Sequence, residues 1–187
     1  MCVPPCQSGG TPLFKDKMKQ NIVLDLDGVI ADIGQSIDKH VGQNYDYSDW
    51  LITDSKDEKA MSIFNDALFW KNMKPYSDAW HQINYWFNKG IDVHIVTARR
   101  CEAAIKQTQP WLDLWRINTM KPIFTNIHEK HEVIESLNPL FVVEDNPNEV
   151  SLLLNEGINV FLRKQWYNKG FWESLPTVDS LYDLELE

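Results

Sequence analysis

A chain of 187 residues, 43% hydrophobic and 24% charged, has the make-up of one ordinary globular domain, so disorder, a fibrous repeat or a second full domain is not expected. Its formal charge of -9 disfavours a surface for long nucleic acids, which are held mainly by Lys and Arg, but leaves room for a small anion in a local positive pocket. No stretch approaches the roughly 18 consecutive apolar residues of a membrane span, and the first residues lack a secretory pattern, so a cytoplasmic protein is expected.

Residues 1 to 20 mix Pro, Gly, Ser and Lys without periodicity and read as a flexible leader. Cys2 and Cys6 lie in it and Cys101 stands alone, an odd total that makes a disulfide framework improbable. From Asn21 onwards come apolar runs bounded by polar breaks: IVLDLD at 22 to 27, DVHIVTA at 92 to 98, PIFT at 122 to 125, LFVVED at 140 to 145 and INVFLR at 158 to 163. Short, Val- and Ile-rich runs suit buried parallel strands.

Helical patterns lie between them. In DAWHQINYWFNKG, Trp80, Ile83, Trp86 and Phe87 follow helical spacing and Gly90 supplies the stop, while EVSLLLNEGI ends at Gly157. Alternating strands and helices predict an α/β fold, a three-layer Rossmann-like parallel sheet with ligands at the carboxyl ends of the strands. The interval from about 33 to 74 breaks the alternation and reads as a small helical cap inserted after the first strand, within one domain over 21 to 187.

The sharpest signal is DLDGVIAD at 25 to 32, directly after IVL. Carboxylates at i and i+2 project to one side of a strand end, and Gly28 permits the sharp turn that follows. Such a pair can bind a hard cation through oxygen while one member attacks phosphorus. A calcium loop is the competing reading; it fails because Asp25 ends a buried strand and Ser36 stands where the twelfth-position acid belongs. Further on, Thr97 closes HIVTARR, Lys130 lies in HEKHEVI, and Glu144 with Asp145 closes FVVEDNP. Singly these are weak. Thr97 reads equally as a strand-end hydroxyl, Lys130 as a solvated charge, and the acid pair as caps of the helix after Pro147, although acids closing an apolar strand are costly unless paired or metal-bound.

DLDGV after an apolar strand, followed in order by Thr97, Lys130 and the pair Glu144 and Asp145, resembles the motifs of haloacid dehalogenase superfamily phosphatases over about residues 21 to 168. The resemblance implies Asp25 as nucleophile and Asp27 as general acid and base, the latter pointing away from a dehalogenase or an inactive binding relative. It implies Mg2+ held by Asp25, the backbone carbonyl of Asp27 and Asp145, with Glu144 acting through water or from behind. Thr97 and its neighbour Ala98 would hold a phosphoryl oxygen, and Lys130 would neutralise charge.

Within that superfamily, DGVIAD, ALFWKNMKPYSDAW and FLRKQWYNKG resemble the deoxyribonucleotidases of the 5'(3') type, implying a nucleoside monophosphate as substrate. Trp50, Phe69 and Trp70 are candidate stacking faces for its base, each equally readable as packing of the cap, and Arg99 is a candidate for substrate phosphate. Alternatives of the same fold are a nucleic-acid 3'-end phosphatase and a sugar-phosphate phosphatase; one of another class is a non-catalytic Mg2+-dependent binding protein. A homodimer is compatible with the sequence.

Overall fold

A computed structural model describes residues 20–41, 62–126 and 128–186. Its centre is a six-stranded sheet in the order β3-β2-β1-β4-β5-β6, every pair parallel: β1 Asn21–Leu24, β2 Asp92–Thr97, β3 Ile123–Phe124, β4 Val142–Glu144, β5 Val160–Arg163 and β6 Thr177–Val178. Among the described residues the α-helices used below are α1 Ile33–Val41, α2 Ala67–Asn72, α3 Ser77–Asn88, α4 Glu102–Trp115, α5 Lys130–Ser136 and α6 Pro147–Asn155. The expected three-layer α/β class is the one found.

Alternation along each strand divides the interior in two. Ile22, Leu24, Val93, Ile95 and Val143 face one side and pack with Ala79, Ile83 and Trp86 of α3 and Ala104, Trp111 and Leu112 of α4. Val23, Val96, Val142, Val160 and Leu162 face the other and pack with Ile134 of α5 and Val150 and Leu153 of α6. A parallel sheet covered on both faces needs such near-continuous apolar strands, and each fully buried Val or Leu contributes roughly 1.5–3 kcal/mol.

The five anticipated strands all occur, each trimmed by a residue or more at one end or both. β6 has only two residues and gave no apolar run. In α3 the buried stripe is Ala79, Ile83 and Trp86, while Trp80 is half-buried and Phe87 is exposed, so the helix is turned slightly from the stripe that the aromatics suggest. Gly90 and Gly157 end their helices at φ +82 and +79, a left-handed conformation that disfavours other residues. α6 starts at Pro147 with Asn146 as its cap, the Asn146 side chain accepting from the N–H of Asn148 at 3.0 Å. Glu144 and Asp145 are thus released from capping that helix.

The segment after β1 is held by three backbone bonds closing on itself: Gly28 N–H to the Ala31 carbonyl, and Ile30 and Ala31 N–H to the Leu26 carbonyl. Beyond it, Asp32 N–H donates to the Lys74 carbonyl and Tyr76 N–H to the Ile30 carbonyl, both 2.9 Å. Residues 30–32 and 74–76 therefore form a clasp, with Ala31 and Pro75 bridged in antiparallel sense. That clasp stands at the two ends of the expected insertion. Residues 42–61, with Trp50, and 1–19, with Cys2 and Cys6, lie outside the described residues. No helix among the described residues is long and apolar enough to cross a membrane.

Candidate active site

β1 lies between β2 and β4, the place where strand order turns back on itself, and ligands of open parallel sheets bind at the carboxyl ends there. Asp25 follows the last residue of β1, and its N–H donates to the Val143 carbonyl of β4 at 2.9 Å. Thr97 closes β2 and Glu144 closes β4, with Leu24 level with Ile95 and Val143. The parallel register therefore sets Asp25 beside Glu144.

Lys130, at the start of α5, reaches into this edge. Its Nζ donates to Asp25 Oδ1 and to Glu144 Oε2, each at 2.6 Å, and all three side chains are buried. Glu144 Oε1 accepts the N–H groups of Asp145 and Asn146 at 3.0 and 3.1 Å, so both its oxygens are engaged. The Asp145 Oδ2 accepts from the Tyr167 hydroxyl at 2.5 Å, and Asn168 Nδ2 donates to the Asp145 and Arg163 carbonyls, both at 2.9 Å. Gln165 Nε2 donates to the Gly28 carbonyl at 2.6 Å. The turn Trp166–Phe171 after β5, with Gln165 before it, thus braces the acidic edge from one side.

Gly28 is required by space as well as by its φ of +81. A Cβ there would stand 2.0 Å from Asp145 Oδ2 and 2.4 Å from the Tyr167 hydroxyl.

Burial and then carboxylate crowding set the electrostatics. Burial, then the charge of Glu144, pushes the Asp25 carboxyl up to about 7 against the pull of Lys130. Burial and the charges of Glu144 and Asp25 likewise hold Asp145 well above the usual carboxylate range. Burial alone would lower Lys130, but Asp25 and Glu144 outweigh it and hold the ammonium above the ordinary lysine range. One buried cation stands against two buried acids and the half-buried Asp145. Ligand oxygens of Asp25, Glu144 and Asp145 all lie within 4.8 Å of one another, an all-oxygen set that suits a hard divalent cation, and positive charge there would offset the crowding.

Asp27 is bound differently. Its carboxylate receives Arg99 Nε at 2.7 Å and Arg99 Nη2 at 2.6 Å, a bidentate pair in which Arg99 is buried and Asp27 is partly open to solvent. The remaining Arg99 Nη1 donates to Thr108 Oγ1 at 3.0 Å, and the guanidinium stacks 4.6 Å from the ring centre of Trp70. The side chain of Arg99, a candidate for substrate phosphate, is engaged by Asp27 at both Nε and Nη2. Thr97 is buried with its hydroxyl accepting from the Arg99 N–H at 3.3 Å, and Ala98 beside it is half-buried.

Phe69 and Trp70 are also placed otherwise than a stacking platform requires. Both are buried, packed edge to face with each other at 5.0 Å and against Phe64, with Trp70 Nε1 donating to the Phe64 carbonyl at 2.8 Å. Arg99 covers a face of Trp70, so neither ring offers a free face to a base. The side chains of Tyr167, Gln165 and Asn168 also bear on the site; the sequence points to their segment, FLRKQWYNKG, for the substrate class and not for a role beside the acids.

No protein-family model matches the sequence, and no curated protein matches it. Solved structures do. A haloacid dehalogenase-like family hydrolase from Streptococcus pneumoniae superposes with a TM-score of 0.58 at 14% identity, covering 88% of this chain and 96% of its own. The D,D-heptose 1,7-bisphosphate phosphatase from B. bronchiseptica, complexed with magnesium and phosphate, gives 0.56 at 11%, covering 87% and 93%. A putative beta-phosphoglucomutase from Thermotoga maritima gives 0.54 at 15%, covering 86% and 94%. The six-stranded parallel sheet and these superpositions together show that the chain has the haloacid dehalogenase-like fold.

Proposed function

We propose that this chain is a magnesium-dependent phosphomonoester hydrolase acting through an aspartyl-phosphate on Asp25. The observation that carries the reading is the buried triad of Asp25, Lys130 and Glu144 closing on Asp145 at the carboxyl edge of the central strand. A nucleophilic carboxylate for phosphoryl transfer needs an adjacent cation and a site for a divalent metal, and this edge offers both.

In the first step an Asp25 oxygen forms a bond to phosphorus as the ester P–O bond breaks. The electron pair goes to the ester oxygen, which takes a proton from Asp27. In the second, water attacks the phosphorus of the aspartyl-phosphate and gives its proton to Asp27, and the pair of the P–O bond to Asp25 returns to that carboxylate. Lys130 neutralises charge beside the nucleophile, and Thr97 with the N–H of Ala98 receives a phosphoryl oxygen. Asp25, Asp145 and the Asp27 carbonyl would hold magnesium, which supplies Lewis-acid charge neutralisation when bound.

Two substrate classes stand. The nucleoside monophosphate reading rests on the sequence resemblances around the insertion. Sugar phosphates are favoured by the burial of Phe69 and Trp70, which removes two faces for a base, and by the heptose bisphosphate phosphatase among the structures of like fold. Phosphate release from a panel of nucleoside 5'- and 3'-monophosphates and sugar phosphates, with magnesium and with chelator, tests both. Magnesium-dependent release is expected from one class over the other; silence across the panel would overturn the hydrolase reading.

A further inference from the structure

We infer that Arg99 is a positioning residue that aims the Asp27 carboxylate, and that through Trp70 it ties this aim to the packing of α2. The inference rests on the hydrolase reading above. Arg99 spends every hydrogen-bonding nitrogen on fixed partners: Nε and Nη2 on the two oxygens of Asp27 at 2.7 and 2.6 Å, and Nη1 on Thr108 Oγ1 at 3.0 Å. Thr108 is itself tethered within α4 by donating to the Ala104 carbonyl at 2.8 Å. Trp70 lies against the guanidinium face and is anchored to the Phe64 carbonyl.

A bland reading makes this a neutralising ion pair. Two features favour a directional role. The arginine side chain is 2% exposed and the aspartate 20%, so the cation is dry and the acid stands at the opening. Burying a guanidinium is costly, and an apolar residue would pack there at lower cost if only filling were needed. A planar fork held at its third nitrogen and on its face fixes a carboxylate in direction, which a lysine point charge cannot do.

The consequence separates leaving groups. An alkyl phosphomonoester expels a basic alkoxide and depends on a proton delivered by Asp27; p-nitrophenyl phosphate expels a stable phenolate and does not. In Arg99→Lys and Arg99→Ala, kcat/KM toward an alkyl phosphomonoester, which reports only the step that expels the leaving group, is expected to fall about 100-fold, near the low end for general acid catalysis. The loss of kcat/KM toward p-nitrophenyl phosphate is expected to stay within about 3-fold, while kcat falls for both esters where hydrolysis of the shared aspartyl-phosphate, which also uses Asp27, limits turnover. In an Asp27→Asn background the same changes should cost nothing further. Arg99→Lys keeps the charge and serves where Arg99→Ala does not fold, as judged by circular dichroism. Equal losses of kcat/KM on both esters, or additivity with Asp27→Asn, would overturn the inference while leaving a working hydrolase. A wild-type protein inactive on both esters would overturn the hydrolase reading and this inference with it.

Discussion

Lys130 Nζ stands 2.6 Å from Asp25 Oδ1, and neither side chain has appreciable access to water. The same nitrogen serves Glu144, so a single cation holds two buried acids across 105 and 14 residues of sequence. Removing one partner of such a group leaves uncompensated charge, which costs about 3–5 kcal/mol. Lys130→Met should therefore lower both activity and stability, with a drop of that size in chemical denaturation. Adding Glu144→Gln to it should recover part of the stability but no activity.

Asp25→Asn keeps the shape of the side chain and removes its nucleophilicity. Turnover should fall by more than about 10³-fold while the far-ultraviolet circular dichroism stays as in the wild type. Retained phosphatase activity would sink the proposed chemistry.

Gly28→Ala places a methyl group where Asp145 Oδ2 and the Tyr167 hydroxyl already are, on backbone at φ +81. A destabilisation of about 1–3 kcal/mol is expected from strain, together with weakened magnesium binding as Asp145 is pushed aside. Isothermal titration with magnesium checks the second effect. Gly90→Ala, at φ +82 with nothing near its Cβ, is expected to cost stability alone.

The crowded carboxylates make metal-free stability depend on pH in a defined direction. Asp25 has its folded value raised from 3.8 to about 7, so its contribution is fully present below about pH 4 and is lost as pH rises through about 7. Glu149, raised to about 7 by burial and then by Glu144, acts in the same window and with the same sign. Asp78 runs the other way. Burial would raise it, but hydrogen bonding and charge from Arg163 prevail and lower it, so its contribution is lost only on acidification below the ordinary carboxylate range. In chelator, the melting temperature should fall between pH 5 and pH 8. Magnesium should restore it more at pH 8 than at pH 5, and Asp25→Asn should flatten the profile.

The strands and the acid-bearing strand ends were legible because burial on both faces of a parallel sheet writes itself as contiguous Val and Ile, with polar residues only where a strand stops. Asp25, Thr97 and Glu144 stand at such stops. What one segment cannot announce is a partner far along the chain. Arg99 reads as a candidate for substrate phosphate until the fold brings Asp27, 72 residues away, under its fork. Trp70 reads as a stacking face until Phe64, Phe69 and Arg99 surround it. Tyr167 reaches Asp145 only because β5 lies next to β4. β6 escaped notice because two residues carry no period.

The clasp of residues 30–32 with 74–76 brings the departing and returning chain together at one point. The entropy of closing the intervening stretch grows only slowly with its length, by about 0.6 kcal/mol per doubling. That stretch can therefore be lengthened or shortened during evolution at little entropic cost to the sheet that carries Asp25, provided Phe64, Phe69, Trp70 and Met73 keep their places in the core. Changing its length while Trp70 stays against Arg99 is a route to new selectivity on an unchanged chemical scaffold.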